Sequence, residues 1–128
     1  MNQPEQPQRS PSRLASVQNA VRGVGVLLSQ PNARIQGAVA LIVVALGWKL
    51  DISSHEWLAV ILSIVWVLSA EAINTAIELM VDWVSPQWHP LARDIKDVAA
   101  AAVLISSLGA AVVGGLVFLP HLKTLLNS

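Results

Sequence analysis

The sequence predicts an all-α integral membrane protein, with an N-terminal amphipathic surface helix followed by three transmembrane helices. Three observations predict it. Of 128 residues, 54% are hydrophobic and only 12% charged, where a soluble domain carries ~25% charge. Residues 98–119 contain no charge, and as a helix they reach about 33 Å, enough for the ~30 Å hydrocarbon layer. Four of the five tryptophans stand close to the ends of apolar runs, where amphipathic rings anchor helices at the membrane–water boundary. Eight basic and eight acidic residues cancel, which argues against a nucleic-acid partner. Without cysteine there are no disulfides, thiolate zinc sites or iron–sulfur clusters.

Residues 1–12 hold three of the seven prolines with Gln and Ser and bury too little apolar surface to order, so they read as a disordered tail. No apolar h-region follows a basic n-region closely, so this is not a signal peptide. Over residues 13–29, Leu14, Val17, Val21, Val24 and Leu28 recur at three- and four-residue steps while Arg13, Gln18 and Arg22 fall off that stripe. This spacing predicts an amphipathic helix lying in the interface, with a soluble core helix as the plainer alternative. The first span, at about 32–49, reaches bilayer length only by carrying Arg34 and Gln36 at its polar end. The second, at about 56–84, is apolar up to Ala70 and then interrupted by Glu71, Asn74, Glu78 and Asp82. The third, at about 91–119, is expected to stop at Pro120, which cannot supply a helical N–H. A single membrane domain thus covers about residues 13–122, with a short C-terminal tail at 123–128.

Basic residues set the expected topology. Arg9, Arg13, Arg22 and Arg34 precede the first span with no acid between Glu5 and Asp51, and Arg93 and Lys96 lie between spans two and three. The positive-inside rule places the N-terminus in the cytoplasm and the C-terminus outside, in an inner (cytoplasmic) membrane. Trp48 and Trp57 then fall at the outer interface, Trp83 and Trp88 at the inner one.

Chemistry is expected on the second span. Glu71, Asn74, Glu78 and Asp82, at steps of three, four and four, fall within roughly 80° of one another on a helix, with Thr75 at the flank. Carboxylates inside a membrane are costly and by default functional. Interhelical polar glue is the plainer reading, but an acidic stripe repels itself. Arg93 and Lys96 do not balance Glu71, Glu78, Asp82, Asp94 and Asp97. The deficit suits a divalent cation with oxygen ligands, such as Mg²⁺, which shares its shell with phosphates. Lys96 would offset further phosphate charge. A metal–nucleotide site or a cation-conducting path both fit these residues. No P-loop, GxGxxG, kinase HRD or DFG, or HExxH motif is present. His55, His89 and His121 are too dispersed for zinc, and a lone His89 is more often a surface or capping residue.

Residues 71–104, EAINTAIELMVDWVSPQWHPLARDIKDVAAAAVL, resemble the prokaryotic diacylglycerol kinase family. Its pattern is E-x-x-N-[ST]-A-[IV]-E-x-x-x-D, a short link with a histidine, then K-D-x-[AG]-[AS]-A-A-V. The likeness extends over NARIQ at residues 32–36 and covers roughly residues 14–120. The SP-x-x-HPLA stretch at 85–92 is similar to the undecaprenol-kinase branch. The resemblance implies a homotrimer that uses ATP to phosphorylate a lipid hydroxyl, undecaprenol or diacylglycerol, at the cytoplasmic interface. Carried over by position, Glu71 is the general base, Glu78 a Mg²⁺ ligand with Asn74 beside it, and Lys96 a contact to the ATP phosphates. Asp97 helps hold the nucleotide, His89 and Trp88 pack the adenine, Asp82 lies on the nucleotide side, and Arg34 contacts lipid. One position departs from the family: where a further metal-binding glutamate is usual, this chain has Gln30, followed by Pro31. A neutral amide still coordinates Mg²⁺ but brings no charge. A catalytically weakened or regulatory protein of the same fold therefore stays open, as does an ion-coupled carrier subunit. Small residues on the third span, including Ala110-xxx-Gly114, allow close helix approach, within a protomer or between protomers.

Overall fold

The computed structural model describes residues 12–127, and they form four helices. The tail expected at residues 1–12 lies, apart from Ser12, outside the described residues. Helix α1, Arg13–Ser29, is capped by Ser12, whose hydroxyl accepts from Ala15 N at 3.3 Å. None of its residues is buried, and its apolar side chains Leu14, Val17, Val21, Val24 and Leu28 are all exposed.

Helix α2, Pro31–Lys49, follows after a single residue, and the break has a covalent cause. A residue before proline is excluded from the α region, and Gln30 is accordingly extended at φ −79°, ψ 133°. Pro31 then occupies the first helical position, where no N–H is required. Arg34 bridges the elbow: Nε donates to Leu28 O at 2.9 Å and Nη2 to Ser29 O at 3.0 Å, satisfying the carbonyl end of α1 with a cation.

At its other end α2 closes with a Schellman turn. Ile52 N bonds to Gly47 O and Asp51 N to Trp48 O, while Asp51 takes the left-handed conformation at φ 50°. Helix α3, Ser54–Val84, opens with a capping box between Ser53 and Glu56. Helix α4, Pro90–Leu126, has His89 as its cap, its Nδ1 accepting from Leu91 N at 3.2 Å. Helices α2, α3 and α4 are each long and apolar enough to cross a membrane.

Pro120 does not end α4. The helix runs through it to Leu126, which corrects the expected stop and makes most of the 123–128 segment helical. Proline fixes φ near its helical value and removes one donor, so a helix held from outside tolerates it. The hold is visible: His121 Nε2 lies 2.9 Å from Glu56 Oε1, tying the turn after Pro120 to the start of α3.

Helix α3 is the centre of the assembly, packed against both α4 and α2, while α1 rests on α2 and touches α3. Ile52, Val60, Val117 and Phe118 form a buried apolar cluster, with Leu46, Trp57 and Val113 against it. That cluster lies where α2 ends and α3 begins. The buried polar residues Glu71, Asn74 and Thr75 lie toward the opposite end of α3. Trp57 packs inward, unlike the exposed Trp48, Trp83 and Trp88.

Candidate functional site

The polar stripe of α3 is graded. Glu71 is 2% exposed, Asn74 5% and Thr75 4%; Glu78 is half-buried and Asp82 exposed. The gradient follows from geometry: four-residue steps keep the groups on one face while each step of ~6 Å carries them toward the helix end. A buried carboxylate needs donors, and α2 brings one. Gln36 Nε2 donates to Glu71 Oε2 at 2.9 Å. One turn further along, Asn74 Nδ2 donates to Glu78 Oε1 at 2.9 Å. Amides, not cations, hold these two acids.

Asp82, at the exposed end, is matched differently. Lys96, from the second turn of α4, reaches across to form an ion pair with it. Asp97 pairs with Arg93 at 3.5 Å, both groups mostly in solvent, so that pair contributes little to stability. His89 and Trp88 are exposed in the α3–α4 link. The His89 ring is used through Nδ1 as a helix cap, which is the plainer role the sequence suggested for it.

Among the described residues, three buried side-chain atoms have no hydrogen-bond partner: Gln36 Oε1, Asn74 Oδ1 and Thr75 Oγ1. Gln36 is bonded to Glu71 and Asn74 to Glu78, so two of the three stand beside carboxylates, where an unpaired acceptor calls for a donor or a cation. Among the described residues no three of His, Asp or Glu converge as a ready-made metal group. The protein oxygens on offer are Glu78 and the free Asn74 Oδ1, a hard, sparse set suited to an ion that completes its shell with water and phosphate.

The structure thus brings Glu71, Asn74 and Glu78 onto one face, with Asp82 and Lys96 at its open end. Gln30 sits half-buried in the α1–α2 elbow, its backbone N–H bonded to Leu27 O. Arg34, expected to contact lipid, spends its guanidinium on α1 carbonyls. Sequence reasoning missed Gln36 as the partner of Glu71, because the two are 35 residues apart and no local pattern links them.

Comparison with known proteins agrees with the pattern on α3 and α4. A family profile described as "Prokaryotic diacylglycerol kinase" matches residues 18–118. The chain is 37% identical over 94 residues to undecaprenol kinase of Bacillus subtilis (strain 168), covering 73% of this chain and 76% of that one. It is 34% identical over 121 residues to diacylglycerol kinase of Synechocystis sp., covering 93% and 69%. To diacylglycerol kinase of Escherichia coli (strain K12) it is 33% identical over 79 residues, covering 62% and 65%.

Proposed function

The chain belongs to the prokaryotic diacylglycerol kinase family, and from that premise we propose that it transfers the γ-phosphoryl group of ATP to the hydroxyl of a membrane lipid, undecaprenol or diacylglycerol. The observation that carries the reading is Glu71, a carboxylate 2% exposed inside an apolar bundle and held by a neutral amide. Such a group is placed to take a proton, and a lipid alcohol supplies one at the membrane boundary.

The chemistry balances with few parts. The lipid oxygen forms a bond to the γ-phosphorus, the bond from that phosphorus to the bridging oxygen of ADP breaks, and Glu71 takes the hydroxyl proton. Positioning and charge neutralisation do most of the work in such a transfer. Lys96 contacts the phosphates, exchanging Asp82 for them. Asp97 and Asp82 bound the nucleotide, and Trp88 with the free edge of His89 packs the adenine. Glu78 and Asn74 Oδ1, with Gln30 from the elbow, are the residues that would hold Mg²⁺, which when bound offsets phosphate charge.

A cytoplasmic N-terminus and an external C-terminus follow from Arg9, Arg13, Arg22, Arg34, Arg93 and Lys96. Helix α1 then lies on the inner surface of the membrane, its exposed apolar residues in the lipid. The exposed apolar faces of the long helices and the Ala110-xxx-Gly114 spacing support association as a homotrimer.

Purified protein in mixed micelles with Mg-ATP is expected to phosphorylate undecaprenol or dioleoylglycerol, and assaying both side by side identifies the acceptor. Glu71→Gln is expected to abolish transfer, a loss of at least ~100-fold, with Mg-ATP binding retained. Full turnover by that variant rejects the base assignment. One observation favours a second reading, a weakened or regulatory member of the family: the neutral Gln30 at the position where the resemblance implies a glutamate. Gln30→Glu is expected to tighten Mg²⁺ binding on the order of tenfold, read by activation of turnover against Mg²⁺ concentration. Unchanged Mg²⁺ dependence removes Gln30 from the metal.

A further inference from the structure

Helix α4 changes character at Pro120. Proline has no N–H, so the helical ladder lacks the bond that this position would donate four residues back. Before it, Val117 and Phe118 are buried in the apolar cluster with Ile52 and Val60. After it, His121 and Leu122 are half-buried and residues 123–127 are exposed. The turns beyond the proline thus have little apolar burial, and His121 ties them to another helix through Nε2, 2.9 Å from Glu56 Oε1.

Glu56 is set in advance for that contact. Its Oε2 accepts from Ser53 N and Ser53 Oγ, each at 2.7 Å, as part of the capping box. Those bonds fix the side chain and leave Oε1 for α4. The partner it meets is one whose charge depends on pH. Histidine titrates between about pH 5 and pH 8. Protonated, both ring nitrogens donate; neutral, one of them is a bare acceptor, and only one of the two tautomers keeps a bond to a carboxylate. The other ion pairs among the described residues use Arg93 and Lys96, whose charge is constant over that range. Lys49 on α2, Asp51 in the turn, His55 on α3 and Lys123 on α4 are the other titratable groups described at this end. All four are exposed, and none is in an ion pair among the described residues.

We propose that His121 and Glu56 form a proton-operated clasp: protonation of His121 fastens the turns of α4 beyond Pro120 to the start of α3, and loss of that proton releases them. The charged pair is present below the histidine range and is lost as pH rises through it. With the topology proposed above, the clasp stands at the outer face of the membrane and answers to the pH on that side. Glu71 lies toward the opposite end of α3 and takes no part.

The test reads the mobility of the α4 end. The chain has no cysteine, so Leu126→Cys, at an exposed position in the last turn, accepts a single nitroxide. Continuous-wave EPR of the full chain in detergent separates a slow, held component from a fast, released one. In the labelled, otherwise native chain the held-to-released ratio is expected to fall about two- to fivefold from about pH 5.5 to about pH 8, the range of a partly exposed ion pair. His121→Gln keeps a neutral donor and is expected to give a ratio independent of pH. His121→Lys keeps a cation and is expected to hold the segment equally at both values. Glu56→Gln retains a residue that completes the capping box but not the charge, and is also expected to remove the response; if it costs helicity, the His121 variants decide. His55→Gln is expected to leave the response intact. The clasp is overturned by a ratio that does not change with pH in the native chain, by a response that survives in His121→Gln or His121→Lys, or by one that vanishes in His55→Gln.

Discussion

At the scale of single residues, the structure assigns several charged and polar side chains work that their position in the sequence does not announce. Arg34 is the clearest. A cation at the polar end of a membrane span reads as a lipid contact, yet its guanidinium closes the carbonyl end of the preceding helix through Leu28 O and Ser29 O. A cation at a helix C-terminus is worth ~0.3–1 kcal/mol. Arg34→Ala is therefore expected to raise amide hydrogen exchange in the last turn of α1 by roughly two- to fivefold, leaving α3 unaffected. Exchange unchanged in that turn returns Arg34 to the lipid. Lys96 shows the same economy, since it is already paired with Asp82 and would have to exchange that partner for any phosphate.

At the scale of elements, local rules explain where the helices begin and end, with one exception. Pro31 forces Gln30 out of the α region and separates α1 from α2; Ser53 with Glu56 opens α3; Pro90 and His89 open α4. The exception is Pro120, which the helix passes through because His121 meets Glu56 across the bundle. Sequence periodicity cannot register a contact between residues 65 apart. The turn between α2 and α3 carries its own requirement. A Cβ added to Gly47 falls 3.0 Å from Ile52 Cδ1 and 3.0 Å from the Trp57 ring, and the ring is held in the apolar cluster. Gly47→Leu is expected to destabilise the protein by ~1–3 kcal/mol through overpacking, seen as a lower thermal midpoint in detergent. Gly25→Ala, made into open space, is expected not to lower it. Equal midpoints for both variants reject the role of Gly47 in closing this turn.

At the scale of the whole molecule, the two ends of the bundle differ in kind. One holds an apolar cluster around Phe118 and Val60, the other a set of buried polar groups around Glu71. With Arg34, Arg93 and Lys96 toward the polar end and Lys49 and Lys123 toward the other, the membrane orientation proposed above is open to a direct check, since the chain has no cysteine. In intact cells, Lys123→Cys is expected to react with an impermeant maleimide and Gln18→Cys not to; the reverse pattern overturns the topology. The helical class, the three apolar spans and the acidic stripe were all legible in the sequence, because composition and a repeat of 3.6 residues act through neighbours a turn apart. The family pattern likewise lies in one continuous stretch of residues 71–104. What tertiary structure alone decided is which groups meet from different helices: Gln36 with Glu71, Lys96 with Asp82, His121 with Glu56. Those pairings depend on how helices rotate and slide against one another, a choice made by packing over the whole interface and encoded at no single position of the chain.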